Sequence, residues 1–347
     1  MAGALPPPRT FPDWIKSIVT AKSDWCFSDY SVSWLNGARQ LLRTGTTTVA
    51  DIVSVPELLD VTRDASPLRV HSFLEMTGVR SRRNPREIVG DAVELLKGLP
   101  TAHGTVGLSP HALYSTTPTL LKEAVQAAKE NQWRVTMHVA ESQAEFDMFM
   151  FARGPMFDWL APQRDRADCG VGSPVRICEQ SGLLDLGFIA AHVNYLWQDD
   201  AQRLAAHRAS VVHCPQSHAY FRHHRFPRVE LQHAGVNVAL GTDSLASTRM
   251  AGSIKPTLSL FDEMRALAQT DSLLAPRDIL EMATVHGARA LGLSQSVGGL
   301  FPGSFADFIA IPYCGCFEEA EEFAISYSGT VNSTWIAGSC VWQKPDC

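Results

Sequence analysis

Four histidines and one aspartate close short apolar runs along this chain: His111 in LSPHALY, His138 in TMHVAES, His192 in IAAHVNY, His213 in VVHCPQS and Asp243 in LGTDSLA. Imidazole and carboxylate together are the ligand set of a hydrolytic divalent metal. Such a metal lowers the pKa of a bound water from about 15.7 to roughly 7, so water becomes a nucleophile at neutral pH. The chemistry also needs a proton carrier. Glu141, three residues after His138 in HVAES, stands just past the end of its run. Burial beside a metal raises a carboxyl's pKa far enough to let it pass a proton to a leaving amine. One histidine at a strand tip is usually a hydrogen-bonded rim residue. Five ionisable tips in seven successive runs point instead to one shared site.

The runs themselves read as strands: TTTVADI (46–52), RVHSFLEM (69–76), TVGLSPHA (105–112), RVTMHVAES (134–142), GFIAAHV (187–193), ASVVHCP (209–215) and VNVALGTDS (236–244). Several are almost continuously apolar, as parallel strands covered on both faces are. Amphipathic segments alternate with them. SDYSVSWLNGARQLLRTG (28–45) ends on a glycine able to take a left-handed C-cap. NPREIVGDAVELLKGLP (84–100) and TPTLLKEAVQAAKENQ (117–132) follow the same plan, each with a proline near its first turn. Alternating strands and helices predict a parallel α/β fold. Reactive groups at the strands' C-terminal tips fit a (β/α)8 TIM barrel.

That barrel has eight strands, and seven are found here. The chain opens on GALPPPRTFPDWI, a loop entering a helix, so the expectation is a barrel lacking its first strand. Residues 143–183 read as an inserted loop and helix covering the site. Past APRDILEMATVHGARALGL (275–293) the texture changes to glycine- and proline-punctuated β segments, VGGLFPGSFADFIAIPY and TVNSTWIAGSCVWQ. The expected division is a hydrolase barrel over 1–296 and a small β-sandwich segment over 297–347.

The chain has 347 residues, 45% hydrophobic and 19% charged, which allows a large core. A net charge of −6 and a pI near 6.0 give no field for a polyanion, so a nucleic acid polymer is not expected as a partner. No apolar stretch reaches the roughly 18 residues that span a bilayer, and no basic-then-apolar secretory signal opens the chain. Eight scattered cysteines read as free thiols in a reducing cytoplasm.

Taken together and in order, HALYSTTP, MHVAES, AAHVNYL, VVHCPQS and VALGTDS resemble the amidohydrolase superfamily. The branch they resemble holds cytosine, guanine and S-adenosylhomocysteine deaminases and triazine hydrolases. GGLFPGSFADFIAI resembles that family's closing β segment, so the likeness covers nearly the whole chain. It implies one divalent metal, zinc before iron, because TVGLSPHA lacks the lysine of the two-metal branches. His138, His192 and Asp243 match metal-site positions, and Asp243 also matches the residue that steers the attacking water. Glu141 matches the acid/base, which makes Glu141, His192 and Asp243 the implied catalytic set. His111 matches a substrate-contacting histidine.

The branch's usual Ser-Asn after His-Cys-Pro is replaced by Ser217-His218, followed by AYFRHHRFP. His218, with Tyr220 and Phe221, is expected to bind or stack on a heteroaromatic ring. This segment also resembles deaminases acting on aminofutalosine. The implied activity is hydrolytic deamination of an amino-substituted, nucleobase- or nucleoside-like N-heterocycle. The alternatives are a dechlorinating, N-dealkylating or cyclic-amide hydrolase of the same superfamily, or a non-catalytic barrel scaffold. The family's first-strand His-x-His pair has no counterpart before His71. The expectation is therefore a true start upstream of Met1, and weak metal binding by residues 1–347 alone. A homodimer is implied by analogy.

Overall fold

The computed structural model describes residues 3, 5, 10–59, 65–79, 81–99, 104–250, 252–253 and 255–345. Most of the opening MAGALPPPR, on which the expected upstream start turns, lies outside the described residues.

Each expected run holds a strand: β1 (Thr48–Val53), β2 (Arg69–Met76), β3 (Val106–Pro110), β4 (Arg134–Val139), β5 (Ile189–His192), β6 (Ser210–His213) and β7 (Asn237–Leu240). They form one parallel sheet in chain order, with β1 and β7 as its outer strands among the described residues. The register brings the tips level. His138 pairs with Ala191, Val139 with His192, and His213 with Leu240. The side chains of Leu108, Val135, Met137, Ala190 and Val211 are fully buried, as the apolar texture of the runs requires.

Helices cross between the strands: α1 (Phe11–Ala21), α2 (Phe27–Arg43), α3 (Pro85–Lys97), α4 (Pro118–Asn131), α5 (Gln143–Phe151), α6 (Pro155–Leu160), α7 (Pro174–Gln180), α8 (Asp200–Ala206), α9 (Pro215–Phe221), α10 (Arg228–Ala234), α11 (Leu260–Thr270), α12 (Pro276–Ala283) and α13 (Val285–Ala290). Their starts were legible locally. Asn84 and Thr117 cap α3 and α4 through their side-chain oxygens, each followed by the proline of the first turn. Their ends were less so. Gly45 takes the left-handed conformation after α2, at φ 88°, but Gly98 after α3 stays right-handed, and Gln132 after α4 is the left-handed residue instead. The expected inserted loop at 143–183 is largely helical, comprising α5, α6 and α7.

At the C-terminal end β8 (Phe308–Ala310), α14 (Ala320–Ser326), β9 (Ser333–Ile336) and β10 (Ser339–Gln343) form a unit with a three-stranded antiparallel sheet, β10-β9-β8. A largely buried ion pair between Arg69 of β2 and Asp307 ties this unit to the parallel sheet. The hydroxyl of Thr334 adds a hydrogen bond to the Leu42 carbonyl at 2.7 Å. No described helix is long and apolar enough to cross a membrane. The described cysteines are all free.

Candidate active site

The C-terminal tips of β3, β4, β5 and β7 deliver His111, His138, His192 and Asp243 to one place, and the turn after β4 adds Glu141. Oxygen or nitrogen atoms of Glu141, His192 and Asp243 lie within 4.8 Å of one another. His192 Nε2 is 3.7 Å from Glu141 Oε1. His138 lies outside that group and stacks on His192, with ring centroids 5.4 Å apart. His111 follows at 4.8 Å from His138. His213 belongs elsewhere: its ring stacks on Phe226 at 3.8 Å and backs His218.

The backbone is bent to make this arrangement. Ala140, His192, Val193 and Asp243 all have positive φ, between 47° and 73°. Non-glycine residues seldom adopt this region, and such strain concentrates at functional sites. Two further side chains grip the peptide of Glu141. Glu145, in the first turn of α5, accepts its backbone N–H at 2.8 Å, and Asn194 donates to its carbonyl at 2.8 Å.

Burial sets the protonation states. It holds His111 and His192 at about 4, far below the usual imidazole range, so both rings are neutral. His138 is lowered by burial and then by its neighbour His111. Its Nδ1 bonds the His111 carbonyl at 2.9 Å, which fixes the hydrogen there and leaves Nε2 with a lone pair. Glu141 is raised well above the carboxylate range by burial, with Asp243 and Glu145 adding repulsion. Burial also pushes Asp243 upward, but the adjacent His192 and other polar neighbours outweigh it and leave Asp243 lowered. Asp243 Oδ2 accepts the Ser247 hydroxyl at 2.9 Å. Two carboxyl groups with opposed shifts in one site are the arrangement that divides acid from base. Neutral imidazole nitrogens beside a buried carboxylate fit a divalent metal of zinc type.

His218, on α9, borders the site through a 3.0 Å contact between its Nδ1 and Asn194 Oδ1. Of its expected companions, Tyr220 turns away from it, while Phe221 stays near it through His223, 5.5 Å from that ring. Tyr220 is buried with its hydroxyl toward the Leu5 carbonyl, and Phe221 packs edge-on against Phe11 and Trp14. The structure adds residues that the motifs did not mark. Glu75 of β2 approaches His111 Nε2 at 3.9 Å, and burial raises its carboxyl. It stands one residue before the end of its run, where a tip reading should have caught it. Asn194 and Glu145 carried subtler signals: one lies two residues past His192, the other one helical turn past Glu141.

The profile described as Amidohydrolase family matches residues 3–341. A 5-methylthioadenosine/S-adenosylhomocysteine deaminase of Pelotomaculum thermopropionicum is 31% identical over 284 residues, which is 79% of this chain. The chain spans only 59% of that relative's length. Among solved structures, the Helicobacter pylori aminofutalosine deaminase in complex with methylthio-coformycin superposes with a TM-score of 0.82 at 20% identity, over 96% of this chain and 81% of that one. An adenosine deaminase from Xanthomonas campestris with bound zinc gives 0.78 at 22% identity, over 98% and 76%. These structures show the same overall fold.

Proposed function

We propose, from the premise that this chain belongs to the amidohydrolase family, that it is a metal-dependent hydrolytic deaminase of a nucleoside-like amino-heterocycle. The observation that carries the reading is the opposed pair Glu141 and Asp243 around neutral His192. His138, His192 and Asp243 would hold the cation, zinc in this reading. A divalent metal there supplies a water whose pKa falls from about 15.7 toward roughly 7. Asp243, ionised, would orient such a water and accept its proton. Glu141, kept protonated by burial, would give its proton to the ring nitrogen; the proton taken up by Asp243 would pass to the amino group, which leaves as ammonia, and Glu141 would recover a proton from the new hydroxyl as the carbonyl forms. His111 contacts the substrate ring, and Glu75 stands behind it. The deaminases among the relatives act on substrates of this kind by their names.

Two structural proposals go with this reading. Residues 1–296 form the barrel part, and 297–347 form a small β unit belonging to a sandwich. An eighth strand fills the seam between β1 and β7 and brings the two further histidine ligands that the family resemblance implies. The test compares zinc content and ammonia release for residues 1–347 alone and for the same chain preceded by a strand ending in His-x-His. The reading expects about one zinc per chain and ammonia from an adenine nucleoside only in the extended form. Metal-independent ammonia release, or none from either form over a nucleoside panel, would sink it.

A further inference from the structure

Tyr114, in the HALYSTTP motif after β3, has no part in the chemistry described so far. It sits three residues past His111, in a tight turn closed by the Ser115 and Thr116 N–H groups, which donate to the Ala112 carbonyl at 3.1 and 3.0 Å. Its ring is held on two sides. His111 meets it edge-on at 5.7 Å and 85°, and buried Phe11 of α1 does so at 6.4 Å and 81°. The residue is only 5% exposed, so the phenol is fixed in place before any ligand arrives. Its hydroxyl differs from those of the other enclosed phenols. Tyr195 bonds His223 at 3.1 Å, Tyr220 the Leu5 carbonyl, and Tyr327 the Thr330 carbonyl at 2.6 Å. The Tyr114 hydroxyl has no hydrogen-bond partner among the described residues, and it is not one of the polar atoms closed off from solvent. The oxygen therefore faces open space.

That space is the reaction centre. The field at the Tyr114 oxygen comes from Glu141, then from Glu145, Glu75 and Asp243. Glu75 stands on β2, Glu141 follows β4 and Asp243 follows β7, so these three surround the opening rather than line one side of it. An oxygen within electrostatic reach of all three lies inside the ring of strand tips, and Glu141 is the carboxyl that acts on it most strongly. Burial and these carboxyl groups raise the phenol well above its usual range, so it keeps its hydrogen. The result is a neutral donor, fixed in place and unpaired, beside Glu141 and His111. Both of those groups act on the ring of the substrate in the deaminase reading, on which this inference rests, so the missing acceptor belongs to the ring as well. We propose that Tyr114 is a substrate-binding residue whose hydroxyl donates a hydrogen bond to a lone-pair nitrogen of the bound heterocycle, other than the nitrogen that Glu141 serves. A purine carries such nitrogens, and a ring with carbon at that position leaves the hydroxyl unpaired.

The test uses the zinc-loaded protein as wild type, as Y114F, which removes only the oxygen, and as Y114L, which removes the ring. Calorimetric binding of purine riboside is compared with that of its 3-deaza and 7-deaza counterparts, and ammonia release is followed with adenosine. Y114F should bind purine riboside about five- to fiftyfold more weakly than wild type. Its KM for adenosine should rise by a similar factor while kcat stays within about threefold, as expected for a contact made before and during the reaction. Wild type should also bind one deaza compound more weakly than the parent, and Y114F should bind that compound and the parent within about threefold. Wild-type binding and turnover in Y114F, with a loss in Y114L alone, would mean that Tyr114 acts only by packing and would overturn the inference. Equal binding of all three ribosides by wild type, or of none, overturns it too. Ammonia release by wild type that Y114F leaves unchanged removes this inference and keeps the deaminase reading. Riboside binding that depends on the hydroxyl, without ammonia release, does the reverse.

Discussion

Glu141 and Asp243 share one site yet shift in opposite directions: burial and then the neighbouring carboxyl groups raise Glu141, while the histidines and the hydrogen bonds at Asp243 outweigh its burial. If Glu141 is the proton carrier, E141Q keeps the shape and removes the titration. Its kcat should fall by about 10²–10⁴ while nucleoside affinity moves less than about threefold. A kcat within tenfold of wild type would assign proton transfer to another group. Asn194 tests how much the shuttle depends on being held. It grips both the Glu141 carbonyl and His218. N194A should therefore lower kcat/KM by roughly tenfold, with a rise in KM as well as a loss of kcat, and steady-state kinetics separates the two.

At the scale of elements, strands were more legible than caps, because burial on both faces writes a continuous apolar run into the sequence. The seven strands sit where their runs predicted. His111, His138, His192, Glu141 and Asp243 were readable because each stands at a fixed place beside a strand end. Asn194 and Glu145 were not, since their part is to hold a backbone peptide that only the folded chain brings within reach. Tyr220 misled for a similar reason: its aromatic ring reads as a stacking group, and only the packing of α9 shows it turned inward. Gly107 of β3 shows how close that packing is. A Cβ there would meet the Arg134 carbonyl oxygen and the Phe73 ring at 2.6 Å. G107A should cost about 1–3 kcal/mol in a denaturant titration, and an unchanged midpoint would contradict the strand spacing. Glu263 of α11 accepts both the backbone and side-chain N–H groups of Gln216 on α9. Burial raises it from 4.5 to about 8, partly opposed by those bonds. A carboxyl raised in this way contributes stability that is complete below about pH 4.5 and is lost as pH climbs through about 8. Unfolding free energy from denaturant titration should therefore decline between about pH 4.5 and 8, by up to about 1.4 kcal/mol per pH unit from this group, and level off above. E263Q should decline less steeply, and equal slopes would place the ionisation elsewhere.

Across the whole molecule, the parallel sheet and the C-terminal β unit meet through the buried Arg69–Asp307 pair, with Phe305 lying under the guanidinium at 4.6 Å. D307A leaves an unpaired buried charge and should cost about 3–5 kcal/mol, measured by chemical unfolding. A loss below 1 kcal/mol would mean that other contacts, such as the Thr334–Leu42 hydrogen bond and apolar packing, hold the two parts together. The sheet brings four tips and one turn to a single point, and the proposed function rests on a metal being held there. The most direct test is to measure zinc content and ammonia release on one preparation of the protein, wild type beside D243A. The account predicts about one zinc per chain and ammonia from an adenine nucleoside in wild type, with both lost in D243A. Full zinc and full turnover in D243A would contradict it.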